Sequence, residues 1–220
     1  MPEVSRLSGL FAITPEDPDE ARLLGMAKSA LIGGARLLQY RDKTTDAVRR
    51  LRLALALGAL CRQYGACFIV NDDLELAVRV AADGLHLGCD DGDLAVARKH
   101  LPKGSLLGAS CYADFELARA AVAAGADYVA FGAVHPSPTK PKALRAPLGL
   151  FSRCRDELGI PVCAIGGITL DNASPIISAG ANMLAVITDL FAAPDISARA
   201  KAFQQLFEEQ PNDLPQPATV

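Results

Sequence analysis

Ile160-Pro161-Val162-Cys163-Ala164-Ile165-Gly166-Gly167-Ile168 is a short apolar run that stops abruptly on two glycines. A run of this kind, bounded by turn residues, reads as a parallel strand buried on both faces. The paired glycines leave main-chain N–H groups uncovered by any Cβ, so an anion can approach the backbone where the strand ends. Downstream, Met183-Leu184-Ala185-Val186-Ile187-Thr188 repeats the design but ends on a hydroxyl. Asp189-Leu190-Phe191-Ala192-Ala193 then has the length of one short helical turn before Pro194.

Upstream of this pair the chain alternates short apolar runs with longer stretches of helical period. Strands are predicted at 8–14, 35–41, 66–70, 84–88, 106–110 and 127–134. Helices are predicted at 19–32, 45–64, 74–81, 94–100, 115–124 and 151–158, with 174–178 and 196–209 following the last two strands. Gly33-Gly34-Ala35, Gly125-Ala126-Asp127 and Gly180-Ala181-Asn182 each put glycine between helix and strand, the turn chemistry of repeated αβ connections. Eight βα units of this length predict a single-domain (β/α)8 TIM barrel over residues 1–210. A six-stranded doubly wound sheet is the alternative that pattern alone leaves open. The tail, 211–220, is rich in Pro and polar residues and is expected to be disordered. In such barrels the loops after the last two strands, with a short extra helix, often bind phosphate.

Composition narrows the function classes. At 220 residues and 50% hydrophobic, the chain can bury one sizeable core, and a second domain is not expected. A formal charge of −3 gives no basic footprint for nucleic acid or an anionic membrane surface, so anion binding must be local. The N-terminus has no apolar run of signal-peptide length and later apolar runs fall short of a membrane span, so a cytoplasmic protein is expected. Six cysteines occur without a Cys-x-x-Cys pair and mostly in apolar stretches, which fits reduced core thiols. Self-association into a homo-oligomer is left open.

In a barrel, polar residues at the C-terminal ends of strands carry the chemistry. Gln39, Arg41 and Lys43 alternate along strand two and leave it on one side, with Tyr40 and Asp42 on the other. An amide and two cations so placed suit a strongly anionic ligand, against the plainer reading of a solvated strand end. Strand three ends in Asn71-Asp72-Asp73, and Asp90-Asp91 follow strand four. Asp73 and Asp90 read as helix N-caps. Asp72 and Asp91 read equally as caps or as a carboxylate pair on one hard cation. Ser110 is either a cap or a ligand-binding hydroxyl; His86 reads as an interior barrel histidine and His100 as an exposed one. The longest loop on this face, 132–141, carries Ser137, Thr139 and Lys140 on a path stiffened by Pro136, Pro138 and Pro141. His135 invites a general-base role, but the neighbouring strand ends offer it no orienting partner.

Taken together, Gln39-x-Arg41-x-Lys43, Asn71-Asp72, Gly84-x-His86-x-Gly88-x-x-Asp91, Gly108-x-Ser110, Ser137-Pro138-Thr139-Lys140-Pro141, Ile165-Gly166-Gly167-Ile168 and Val186-Ile187-Thr188 resemble the thiamine-phosphate synthase family. The resemblance runs from about Gly9 to Ala193. It implies a (β/α)8 enzyme that joins hydroxymethylpyrimidine diphosphate to a thiazole phosphate, or its carboxylated form, with Mg²⁺. By the same resemblance Gln39, Tyr40, Arg41, Asp42, Lys43, Asn71, Ser110 and Lys140 hold the pyrimidine diphosphate, with Arg41, Lys43, Ser110 and Lys140 acting in catalysis. Asp72 and Asp91 would hold the Mg²⁺, and Ser137, Thr139, Gly167, Ile187 and Thr188 the thiazole phosphate. Ser137 stands where the family usually has Thr, and Thr188 where it usually has Ser; both keep a hydroxyl. The related thiazole tautomerases share the barrel but use a histidine nearer Ala133 and tend to lose the diphosphate set. A tautomerase, or a barrel that only binds a phosphorylated metabolite, are the alternatives.

Overall fold

The computed structural model describes residues 7–136 and 145–210. The expected disorder of 211–220, and the positions of Ser137, Thr139 and Lys140, lie outside the described residues. The elements run β1 (Gly9–Ile13), α1 (Glu20–Ile32), β2 (Leu37–Tyr40), α2 (Ala47–Tyr64), β3 (Cys67–Asn71), α3 (Leu74–Arg79), β4 (Gly84–Leu87), α4 (Leu94–His100), β5 (Leu106–Tyr112), α5 (Phe115–Ala123), β6 (Tyr128–Gly132), α6 (Gly149–Leu158), β7 (Val162–Ile165), α7 (Leu170–Ser178), β8 (Met183–Val186), α8 (Thr188–Phe191) and α9 (Ile196–Glu209). Each strand is parallel to the next and β8 returns to β1, with Gly9 level with Met183, so the sheet closes into a barrel. A doubly wound sheet, which would leave two edges, is excluded.

The strands read as continuous apolar runs because both of their faces are buried. Phe11, Leu37, Ile69, Leu106 and Met183 fill the barrel interior. The alternate residues, such as Leu10, Leu38, Val70, Leu107 and Leu184, pack outward against helix residues including Leu23, Leu57, Phe151, Ile176 and Phe203. Much of the chain's aspartate is spent on helix starts: Asp19, Asp46, Asp73, Asp93, Asp114 and Asp195 each accept a backbone N–H of the helix that follows.

Caps also explain where boundaries differ from expectation. Asp73 caps α3 as predicted, but α4 is capped by Asp93 rather than Asp90, which is exposed. Ser110 does not cap α5, since Asp114 is the cap and the helix begins at Phe115. Helix α7 starts at Leu170, ahead of the predicted 174, because Thr169 and Asn172 close a reciprocal capping box and Pro175 falls inside the helix. Strand β2 starts at Leu37 and β6 stops at Gly132, each shorter than predicted. Five cysteines are buried and Cys89 is exposed, and none forms a disulfide.

Candidate active site

The C-terminal ends of β1 to β5 bring most of the predicted residues to one mouth. Gln39 is 3% exposed, facing the interior just below the rim. The next residues are held from β1: Thr14, itself buried, accepts a hydrogen bond at Oγ1 from the Arg41 backbone N–H at 2.9 Å. The Arg41 guanidinium reaches Glu16 at 2.9 Å. Lys43 extends across the mouth to Asp72 and stands 3.9 Å from Asp91. Asn71 Nδ2 donates to the same oxygen of Asp72 at 2.5 Å.

Asp72 and Asp91 therefore share one cation, the Lys43 ammonium. Asp72 has φ +63, which brings it out of the strand direction as β3 ends. Asp91 can fold back onto β4 because Gly88 presents no side chain there; a Cβ at Gly88 would collide with Asp91 Oδ2. Desolvation, followed by the hydrogen bond and charge of Asp72, raises the pKa of Asp91, while Lys43 opposes the rise. Two hard oxygen donors facing each other across a positive group fit a divalent cation of the Mg²⁺ kind. Among the described residues no cluster of three or more metal-ligating side chains occurs, so such an ion would draw further ligands from substrate and water.

Tyr40 and Asp42 pair behind this group, and Asp42 also lines the cavity it shares with Lys43, Asn71 and Asp72. The Tyr40 and Asp42 side chains turn into the layer between β2 and α2, where the Tyr40 hydroxyl donates to Asp42 at 2.8 Å and Arg49 pairs with Asp42 at 2.5 Å. Burial pushes Asp42 up, but bonds from Thr44 and Tyr40 and the charge of Arg49 outweigh that and hold its carboxyl below the usual range. Arg49 also donates to the Asp17 carbonyl at 2.5 Å, tying the loop after β1 to the loop after β2. Tyr40 and Asp42 brace the loop that carries Arg41 and Lys43.

On β4 and β5 the Ser110 hydroxyl lies 2.9 Å from His86 Nε2, and His86 Nδ1 lies 3.0 Å from the Tyr128 hydroxyl. His86 is an interior residue, as predicted, and burial lowers its pKa to about 4. His100 is exposed and its Nδ1 sits 2.9 Å from the Val96 carbonyl.

The ends of β7 and β8 are built differently. Gly167 has φ +65, and a Cβ there would lie 2.8 Å from His135 Cβ and closer still to the Pro136 carbonyl oxygen. The glycine pair is thus demanded by the close passage of the loop after β6, a constraint invisible in the sequence. His135 donates its backbone N–H to Gly166 at 3.0 Å. Ile187 leads into the short α8, whose first residue, Thr188, is exposed.

Three residues escaped the sequence reading. Thr14 directly follows β1 with a polar side chain, the signal applied elsewhere to strand ends. Glu16 lies beyond it in the loop. Tyr128 begins β6, far in sequence from the mouth, and only the register brings it level with Gly108. Buried thiols are poor nucleophiles here, since burial pushes Cys61, Cys111 and Cys154 up to about 12.

A closed parallel barrel whose charged residues gather at the C-terminal mouth defines a TIM-barrel enzyme. The family profile described as thiamine monophosphate synthase matches residues 10–190, and the chain belongs to that family. It is 56% identical over 208 residues to the thiamine-phosphate synthase of Aromatoleum aromaticum, covering 94% of this chain and 100% of that protein. It is 57% identical over 202 residues to the thiamine-phosphate synthase of Chromobacterium violaceum, covering 92% and 97%. The solved thiamine phosphate pyrophosphorylase of Pyrococcus furiosus superposes with a TM-score of 0.84 at 31% identity, covering 95% of this chain and 100% of that one. Among the described residues no helix is long and apolar enough to cross a membrane.

Proposed function

We infer that the chain is a thiamine-phosphate synthase, a transferase that acts on small phosphorylated substrates and releases diphosphate. It joins the exocyclic methylene carbon of 4-amino-5-hydroxymethyl-2-methylpyrimidine diphosphate to the ring nitrogen of 4-methyl-5-(2-hydroxyethyl)thiazole phosphate or its carboxylated form. The C–O bond to diphosphate breaks, with the electron pair leaving on oxygen. The thiazole nitrogen pair then forms the C–N bond. The observation that carries this reading is the gathering of Arg41 and Lys43 with Asp72 and Asp91 at one mouth.

In this reading Arg41, Lys43, Ser110 and Lys140 meet the diphosphate and neutralise the charge it gains on departure, which is stabilisation by groups already in place. Gln39 and Asn71 line the pyrimidine side. Asp72 and Asp91 would hold Mg²⁺, which when bound supplies further neutralisation of a phosphoryl leaving group. Ser137, Thr139, Gly167, Ile187 and Thr188 anchor the thiazole phosphate, so that end of the mouth contributes alignment rather than bond making. Departure ahead of attack gives a pyrimidine methyl cation, and no protein nucleophile or strong base is needed. A tautomerase needs a base and no carboxylate pair for a metal, so Asp72 and Asp91 beside Lys43 speak against one.

The test is direct. The purified chain, given both substrates and Mg²⁺, should yield thiamine phosphate and diphosphate in equal amounts by mass spectrometry and a coupled phosphate assay. Absence of both products from a folded preparation would overturn the assignment.

A further inference from the structure

Asn71, His86, Gly108 and Tyr128 occupy one rung of the barrel, each level with the next across β3, β4, β5 and β6. Strands in a sheet lie roughly 4.8 Å apart, so His86 and Tyr128, two strands from each other, meet only because the residue between them has no side chain. A Cβ at Gly108 would collide with Tyr128 Cζ and Oη. The tyrosine ring thus crosses over β5 to bring its hydroxyl 3.0 Å from His86 Nδ1. The other ring nitrogen, Nε2, is 2.9 Å from Ser110 Oγ, two residues beyond Gly108 on the same side of β5. Tyr128 is 0% exposed and His86 7%, while Ser110 is partly open. A buried polar chain therefore runs from the barrel interior to a hydroxyl at the mouth.

Hydrogen counting gives the chain a direction. Buried, and with each ring nitrogen facing a hydroxyl, the imidazole is uncharged and has one donor and one acceptor. Were the proton on Nδ1, the Tyr128 oxygen would accept it and its own O–H would be left in the interior without an acceptor, an arrangement that is costly. With the proton on Nε2, Tyr128 donates to Nδ1, Nε2–H donates to Ser110 Oγ, and the Ser110 hydrogen is turned outward. We propose that Tyr128 and His86 are positioning residues that fix Ser110 as a hydrogen-bond donor toward the departing diphosphate, with Gly108 supplying the room for them to meet. The proposal rests on the reading of Ser110 as a diphosphate contact.

The test compares Ser110→Ala, Tyr128→Phe and the double variant, all with both substrates and Mg²⁺. Tyr128→Phe keeps the ring and removes one oxygen, so the fold should survive, as thermal unfolding would confirm. Ser110→Ala should lower kcat by about tenfold, and Tyr128→Phe by about three- to tenfold, with KM for the thiazole phosphate unchanged. In the Ser110→Ala background the Tyr128→Phe step should cost less than about twofold, because the hydroxyl it positions is gone. The same factor in both backgrounds would mean that Tyr128 only packs, and would overturn the relay while leaving Ser110 its role. No loss in Ser110→Ala would overturn the Ser110 contact and the relay with it. Nitrogen-15 shifts of the His86 ring supply a second measurement: an Nε2–H tautomer is expected, and Nδ1–H would sink the proposal.

Discussion

The mouth has two unlike halves. Around β2, β3 and β4 the groups are charged and held by one another: Arg41 by Glu16, and Asp72 and Asp91 by Lys43. At the ends of β7 and β8 the described residues from Ile165 to Ile168 carry no charge, and the shape is set by backbone packed on backbone. In the proposed reading the first half recognises through side-chain charge, which can be removed one group at a time. The second adds to its hydroxyls a main-chain path at Gly166 and Gly167, which no deletion of a side chain can remove. This division suits a reaction in which one substrate loses a highly charged group while the other must only be aligned.

The sharpest way to break the comparison is to take away the carboxylates. Asp72→Ala should lower turnover by about a thousandfold, the loss of several kcal/mol of charge stabilisation. Mg²⁺ should raise the melting temperature of the wild type and leave that of Asp72→Ala unmoved. A variant with full turnover, or one whose melting point still responds to Mg²⁺, would remove the metal assignment. Next in size is Arg41→Ala, with a fall of about a hundredfold in kcat/KM for the pyrimidine diphosphate, as befits hydrogen bonds to charged groups. Arg41→Lys should recover only part, because the ammonium lacks the guanidinium fork. Equal losses in both variants for the thiazole phosphate would erase the distinction between the halves.

The charged half was also the more legible in the sequence. Alternation along Gln39, Arg41 and Lys43 needs only the strand period, so their shared direction could be read from residue types alone. That Tyr40 and Asp42 also brace the loop depends on Arg49, in the first turn of α2, and its reach is a tertiary fact. The glycine pair was legible as a place where backbone is bare, but its cause, the passage of His135 and Pro136 over Gly167, comes from a segment far away in the chain. The barrel itself was legible because its strands are buried on both faces and six of its helices are announced by a capping aspartate. The misplaced start of α7 shows the limit: Pro175 looks like a helix beginning until Thr169 and Asn172 are seen to close a capping box.

A third prediction probes the backbone half. Gly167→Ala places a Cβ against His135 and Pro136 at a left-handed φ of +65. The conformation alone costs roughly 1–2 kcal/mol, and the collision adds to it. Stability should fall by about 2 kcal/mol, and KM for the thiazole phosphate should rise by about tenfold, well beyond the change for the pyrimidine diphosphate. Denaturant unfolding and paired KM measurements check both. An undisturbed stability would show that the loop yields freely, and that the close approach does not shape the site.

The smallest effect tests whether the charged half is rigid or merely self-neutralised. Glu16 holds Arg41 at 2.9 Å, yet the Glu16 side chain is 58% exposed, so the pair is worth little to the fold. Two consequences of that pair oppose each other. If Glu16 chiefly competes with the diphosphate for Arg41, then Glu16→Gln removes a negative charge from the mouth, and KM for the pyrimidine diphosphate should fall by up to about fivefold, the span of an exposed ion pair. If Glu16 chiefly aims the guanidinium, the same change should raise KM and lower kcat together. The structure favours competition, because Arg41 already has its backbone fixed by Thr14 and needs no second anchor to stay at the rim. The fall in KM should shrink with added salt, since screening weakens exposed charges most, and KM for the thiazole phosphate should not move. A rise in KM would show that Glu16 aims Arg41, and would make the charged half a preset frame instead of a set of groups waiting for an anion.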